Sequence, residues 1–246
     1  MIDIHSHILP EVDDGPKSWE TAEAMCRMAA QDGITHMVAT PHSNDRYFYS
    51  RDYLAGLLQV LQQRIGHAPQ LSLGCDFHLS YDNMTSALEN PQTYCIGNSH
   101  YMLVEFSNFS IPPQVDEWFT QIHDRGITPI ITHPERNPIV QQNPQRVRDW
   151  VDLGCAVQVT ASVFTGSWGA RARQIADELL KDKLVHFLAS DAHDVQRRPP
   201  ILSAARKVIA KGYSDELAAA LVEGNPGAVV ADGPLPYFEA KNNFRF

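Results

Sequence analysis

Seven short apolar runs, each followed by a longer stretch of helical periodicity, set the first limit on what this chain can fold into. The runs are "MIDIH", "THMVATPH", "QLSLGCD", "HYMLVEF", "ITPIITHP", "CAVQVT" and "LVHFLASDAH". Most are continuous in apolarity rather than alternating, the pattern of strands buried on both faces of a parallel sheet. The intervening stretches include "SWETAEAMCRMAAQDG", where Ala22, Met25, Met28 and Ala29 share one helical face and Gly33 supplies the stop. Parallel strands need crossover helices, so the order predicts an α/β protein, either an open doubly wound sheet or a closed barrel. No GxGxxG turn follows the first run, which counts against a dinucleotide-binding sheet. At 246 residues the chain has the length of one α/β barrel. No Gly/Ser-rich linker divides it, so residues 1–246 read as a single domain. Residues 232–246 lack periodicity and read as a C-terminal extension or an oligomer contact.

The residues able to carry chemistry gather at one end of these runs. His5 and His7 end the first, on one face of an alternating strand, and Asp14 follows in the next loop. His42 ends the second, Asp76 the third, Glu105 the fourth and His133 the fifth; Asp191 and His193 end the seventh. The sixth offers only Gln158 and Thr160. In a parallel barrel all strand C-termini meet at one rim, where active sites of this architecture are built. His36, His67, His78, His100, His123 and His186 lie elsewhere and form the background, with His78 the least settled of them.

Nine imidazoles and carboxylates exceed the needs of one ion, since Zn²⁺ takes about four donors and Mn²⁺ about six. Two or three ions sharing a bridging carboxylate fit the number better. A donor set without thiolate suits Mn²⁺, Fe²⁺ or Zn²⁺ alike. Clustered ions of this kind serve phosphate-ester hydrolysis. Arg136 in "HPER" and Arg198 in "HDVQRRPP" belong to the same rim, where a guanidinium can grip phosphate oxygens; Arg197 competes for the second role.

Composition narrows the partners. Twenty Lys and Arg against 29 Asp and Glu give a formal charge of −9, which disfavours nucleic-acid binding. Four cysteines without a CxxC pair read as free thiols in a reducing compartment. No signal-like start and no bilayer-length apolar run is visible, so a cytoplasmic protein without membrane insertion is expected. None of the cysteines has an arginine six positions on, which removes a thiolate-based route to phosphate-ester hydrolysis.

In this order, "HSHILPEVDDG", "VATPH", "VEF", "HPER" and "SDAH" resemble the PHP (polymerase and histidinol phosphatase) superfamily. Within it, "MIDIHSHILPEVDDGPKS" and "HPER" are similar to the bacterial manganese-dependent protein-tyrosine phosphatases of the CpsB/CapC type, which act in capsule and exopolysaccharide regulation. The resemblance runs from Ile2 to about Pro200. It implies a distorted (β/α)7 TIM-like barrel, the PHP fold, with three metal ions. One would be held by His5, His7, Asp76 and Asp191, a second by Asp76, Glu105 and His133, and a third by Asp14, His42 and His193. It further implies attack on phosphorus by hydroxide generated at the metals, with Arg136 and Arg198 steadying the phosphoryl group. The implied substrate is phosphotyrosine in the tail of a cognate bacterial tyrosine autokinase. Two positions depart from the family pattern: Asp76 replaces the usual bridging Glu, and Asn137 replaces the aromatic of "HPERY". The alternatives are a PHP-type phosphatase or phosphodiesterase for a small metabolite such as histidinol phosphate, a nuclease on the same barrel, and a metal-stabilised protein that docks a kinase tail without turnover.

Overall fold

The apolar runs become nine short strands: β1 (Ile2–Ser6), β2 (His36–Ala39), β3 (His42–Ser43), β4 (Gln70–Leu73), β5 (Asp76–His78), β6 (Tyr101–Glu105), β7 (Thr128–Thr132), β8 (Ala156–Thr160) and β9 (Phe187–Ala189). The computed structural model describes residues 1–237, so 238–246 of the expected extension lie outside the described residues. All pairings are parallel, in one sheet β1-β2-β4 and another β3-β5-β6-β7-β8-β9.

The second and third runs, each expected as one strand, are each broken in two. Pro41 has no N–H for the ladder and interrupts the second. Gly74 interrupts the third at a point of close approach, where a Cβ would stand 3.1–3.2 Å from Ile96, Val38 and Thr40. Hydrogen bonds from Gly74 N to Ala39 O (2.8 Å) and from Asp76 N to Pro41 O (3.2 Å) carry the pairing across both breaks. The two sheets are thus seven staves of one parallel barrel. The seam between β9 and β1 is held by a bridge of Ser6 to Ala192, by Asp191 N to His5 O (2.9 Å), and by the buried Asp3 carboxylate accepting from Ser190 N (3.0 Å) and Oγ (2.5 Å). The distorted (β/α)7 barrel is the architecture.

Two apolar clusters separate inside from outside. Ile4, Val38, Leu103, Ile130, Ala156 and Phe187 belong to a small inner cluster. The alternate strand residues, among them Met37, Met102, Ile131, Val157 and Leu188, join the covering helices in the larger one. Helix Trp19–Gln31 shows how the cover is made. Ser18 caps it by accepting from Thr21 N (3.3 Å), Gly33 leaves it at φ 89°, and Ala22, Met25, Cys26 and Ala29 are buried. Cys26 takes the place on the buried face that the spacing gave to Met28, which is only partly buried. The strand-start end is closed by helix Asn225–Val230. Asn225 donates to His186 O (2.9 Å) and Tyr237 O (2.7 Å), and Asp232 accepts from the His100 ring and backbone (2.6 and 2.9 Å). Residues 232–237, the described part of the aperiodic stretch, lie along this end. Among the described residues no helix is long and apolar enough to cross a membrane, and the four cysteines are buried free thiols.

Candidate metal centre

The strand-end geometry delivers all nine expected donors to one mouth, and local backbone does much of the aiming. His133 (φ 36°), directly after β7, and Asp191 (φ 51°), two residues past β9, sit in left-handed corners, conformations that non-glycine residues adopt at a cost. The turn after β1 is equally constrained: a Cβ on Gly15 would lie 2.5 Å from His7 O, so only glycine lets the 13–15 loop pack on the histidine.

Four overlapping groups of donor atoms each lie within 4.8 Å of one another: His5, His7 and Asp76; His7, Asp14, His42 and His193; His42, Asp76 and Glu105; and His5, His133 and Asp191. The first contains three of the four residues of one set implied by the resemblance and the second all of another, and Asp191 Oδ1 stands 3.5 Å from both His5 Nε2 and His7 Nε2. The implied set of Asp76, Glu105 and His133 differs in arrangement. His42, rather than His133, joins Asp76 and Glu105, while His133 Nε2 is 3.8 Å from Glu105 Oε1. Register accounts for this, because His42 lies directly opposite Asp76 in the β3–β5 ladder. His78, assigned to the background by its sequence position, stands 3.4 Å from Glu105 Oε2 at the lip.

The ring nitrogens are committed in a consistent sense. The Nδ1 of His5 pairs with Gln158 Oε1 (2.9 Å), that of His7 with Asp13 Oδ2 (2.7 Å), and that of His193 with Asp191 O (2.9 Å). Each acceptor fixes Nδ1–H as donor and leaves Nε2 as the basic atom, the usual support for a metal-binding imidazole. The Nε2 atoms of His5 and His7 then face each other at 3.4 Å. Asp13 and Gln158 are therefore hydrogen-bond partners of the rim histidines that the sequence did not mark. Asp13 hid beside Asp14, and Gln158 was only noted as a polar position on β8. The backbone N–H of Gly15 also donates to Asp13 (2.9 Å), so the carboxylate that orients His7 is itself held.

Fit to a cation can be tested on Asp76. It is 1% exposed, and both carboxylate oxygens are buried without a hydrogen-bond partner; His42 Nδ1, 3.1 Å from Oδ2, is unaligned and equally unpaired. Native interiors satisfy such groups or place an ion on them. With Asp14, Glu105 and Asp191, four carboxylates surround the histidines, a donor set that hard or borderline divalent ions take. The residues present fit the implied metal cluster.

The electrostatics follow the same crowding. Burial pushes the His5 imidazole down, but the Asp76 and Asp191 carboxylates overcome it and raise the group to about 9. Burial and the neighbouring His193 lower His7 to about 4. Burial opposes ionisation of Asp191, yet Arg136, His5 and Arg198 hold it well below the usual carboxylate range.

Both arginines reach Asp191 Oδ2, Arg136 through Nη1 (2.6 Å) and Arg198 through Nη2 (2.5 Å), and both line a cavity of about 260 Å³ with His42, His133 and Trp168. Arg197 is exposed. Asn137 also lines the cavity, but its side chain is spent on structure. Oδ1 caps helix Pro138–Gln142 through Ile139 N (3.0 Å) and Val140 N (3.2 Å), while Nδ2 donates to Ser107 O (3.0 Å).

Comparison with known proteins adds an independent line. A sequence model of the family described as capsular polysaccharide synthesis, CpsB/CapC, matches residues 1–231. The tyrosine-protein phosphatase CpsB of Streptococcus pneumoniae is 32% identical over 241 residues, covering 94% of this chain and 99% of that one. The tyrosine-protein phosphatase YwqE of Bacillus subtilis is 31% identical over 227 residues, covering 91% and 89%. A crystal structure from the pair YwqE of B. subtilis and CpsB of S. pneumoniae, described as metal-dependent tyrosine phosphatases, superposes with a TM-score of 0.89 at 29% identity over 98% of this chain and 100% of that one. The phosphotriesterase homology protein of Escherichia coli, with TM-score 0.60 and 9% identity over 92% and 96% of the chains, shares the fold alone.

Proposed function

The chain belongs to the CpsB/CapC family of capsular polysaccharide synthesis, and from that premise we propose that it is a metal-dependent protein-tyrosine phosphatase acting in capsule or exopolysaccharide regulation. The observation that carries this reading is a carboxylate–imidazole cluster roofed by two guanidinium groups, Arg136 anchored to Asp191 through Nη1 and Arg198 with its Nε buried and lacking a hydrogen-bond partner beside the cavity. Donors of that kind suit phosphoryl oxygens, which accept several charge-assisted hydrogen bonds at once.

In this reading His5, His7, Asp76 and Asp191 hold one ion, Asp76, Glu105 and His133 a second, and Asp14, His42 and His193 a third. His42 stands close enough to Asp76 and Glu105 to serve two sites. Bound divalent ions supply the positive charge that polarises the phosphoryl group and lowers the pKa of the attacking water. The protein's own work is positional. Asp13 and Gln158 keep the Nε2 atoms of His7 and His5 directed into the cluster. Arg136 and Arg198 meet the phosphoryl oxygens at the open side and match the charge that grows on them as the ester bond breaks. Mn²⁺ is the metal of this reading, with Fe²⁺ and Zn²⁺ compatible with the same donors. The substrate is phosphotyrosine on a bacterial tyrosine-kinase tail, and the compartment is the cytoplasm, where the buried cysteines stay reduced.

Turnover of a tyrosine-phosphorylated peptide beside histidinol phosphate, by metal-stripped protein with Mn²⁺ restored, tests the proposal. Mn²⁺-dependent release of phosphate from the peptide is expected. Release from histidinol phosphate alone would overturn the substrate while leaving the barrel and its cluster in place.

A further inference from the structure

Trp168 stands at the cavity mouth in a place that the family resemblance does not assign. It follows β8 and the short helical turn Ala161–Thr165 in a left-handed conformation (φ 70°), immediately before Gly169 at φ 80°. A bulky aromatic residue in that region is a backbone outlier, a feature found where a side chain must be aimed. Its ring is tied down at one edge, Nε1 donating to Ser162 Oγ at 3.0 Å, and it remains 42% exposed while lining the cavity. Above the indole lie both guanidinium groups of the mouth: Arg136 Cζ is 4.0 Å from the ring centroid and Arg198 Cζ 5.3 Å.

The two arginines present a packing difficulty. They carry like charge, and both ion-pair with the same oxygen of Asp191. That carboxylate also faces His5 and His7 across 3.5 Å, so its charge is shared with the cluster. A second carboxylate would hold the arginines better but would consume the N–H groups that a phosphoryl group needs. An aromatic face does not, because it attracts the guanidinium plane through its quadrupole and accepts little from the N–H edge. The buried Nε of Arg198, without a hydrogen-bond partner, is what such an arrangement leaves over.

We propose that Trp168 is the positioning residue of the phosphate-binding pair, holding Arg136 and Arg198 by their faces so that their N–H edges stay free for phosphoryl oxygens. The inference rests on the phosphoryl-transfer reading above and extends it to a side chain outside the metal cluster.

The test is calorimetric titration of inorganic phosphate into the Mn²⁺-loaded protein, for wild type, Trp168→Ala and Trp168→Phe, with phosphopeptide kinetics and thermal unfolding alongside. Loss of two cation–π contacts should weaken phosphate binding by about tenfold in Trp168→Ala and raise KM more than it lowers kcat. The melting temperature should stay unchanged, because the residue is half exposed. Trp168→Phe, which keeps a ring face but not the Ser162 bond, should recover most of the affinity. Wild-type affinity in Trp168→Ala, or a Trp168→Phe no better than Trp168→Ala, overturns the inference and leaves the proposed function intact. Phosphate binding without phosphopeptide turnover overturns only the tyrosine substrate. A wild type that binds no phosphate overturns both.

Discussion

His5 and His186 are both 0% exposed, and the two ends of the barrel leave them in opposite states. At the rim, His5 is raised to about 9 because Asp76 and Asp191 outweigh its burial. At the strand-start end, burial drives His186 down to about 3, and its Nδ1 accepts from Val157 N at 3.0 Å, a bond only the neutral ring can accept. Burial therefore does not mark a working histidine; its company does. One end collects carboxylates faster than it can pair them, and the other pins neutral groups with backbone and amide hydrogen bonds. The first gives up stability for a binding site, the second closes the core.

The sharpest way to break this contrast is to empty the rim. Asp191→Ala removes a donor and the shared anchor of both arginines, and His7→Ala removes the donor common to two groups; each should abolish turnover, with circular dichroism unchanged. Full activity in either variant would end the ligand assignment. Next in size is Arg136→Ala, expected to lower kcat by about 10²–10³-fold, roughly 3–4 kcal/mol of transition-state stabilisation, in steady-state kinetics. Asp13→Asn should leave His7 in place but poorly oriented, so metal affinity by calorimetry should fall about 10–100-fold. An unchanged affinity would mean that Asp13 merely shapes the loop.

The smallest effect belongs to the other end. The unfolded-state pKa of a histidine is about 6.5, above the folded value of about 3 for His186, so between these limits the unfolded chain binds the extra proton. The stabilisation is present above pH 6.5 and drains away as pH falls towards 3, by about 2 kcal/mol at pH 5. Thermal unfolding of His186→Gln should accordingly fall less steeply between pH 7 and pH 5 than that of wild type. Parallel pH profiles would assign the acid sensitivity to the rim instead.

The staves of the barrel and the gathering of nine imidazoles and carboxylates at one mouth were legible because both rest on periodicity: buried parallel strands write continuous apolar runs, and a barrel puts the ends of those runs at one mouth. What stayed hidden depends on geometry that no local pattern encodes. The breaks at Pro41 and Gly74 come from a missing N–H and from contacts with Ile96, Val38 and Thr40, distant in sequence or on a neighbouring stave. His78 looked like background because only the β5–β6 register, two residues along from Asp76, sets it opposite Glu105. Asn137 stands out in sequence only as a departure from the family pattern, whereas its amide is occupied in capping a helix and holding the Ser107 loop. Trp168 lies in a stretch without periodicity, and its value comes from a left-handed turn that only coordinates reveal.

The seam between Asp3 and Ser190 joins residues 187 positions apart, and it is the last part of the barrel that a ribosome can make possible. Seven of the nine donors are synthesised before β9, yet Asp191 and His193 arrive only with the stave that closes the ring. A nascent chain thus carries a histidine pair and loose carboxylates for most of its synthesis without the enclosure that would let them grip an ion in common. Long-range closure of this kind is slow relative to local helix formation. Placing the final donors on the closing stave ties closure of the ring to assembly of the cluster, so a chain cut short anywhere before β9 lacks two of the nine groups.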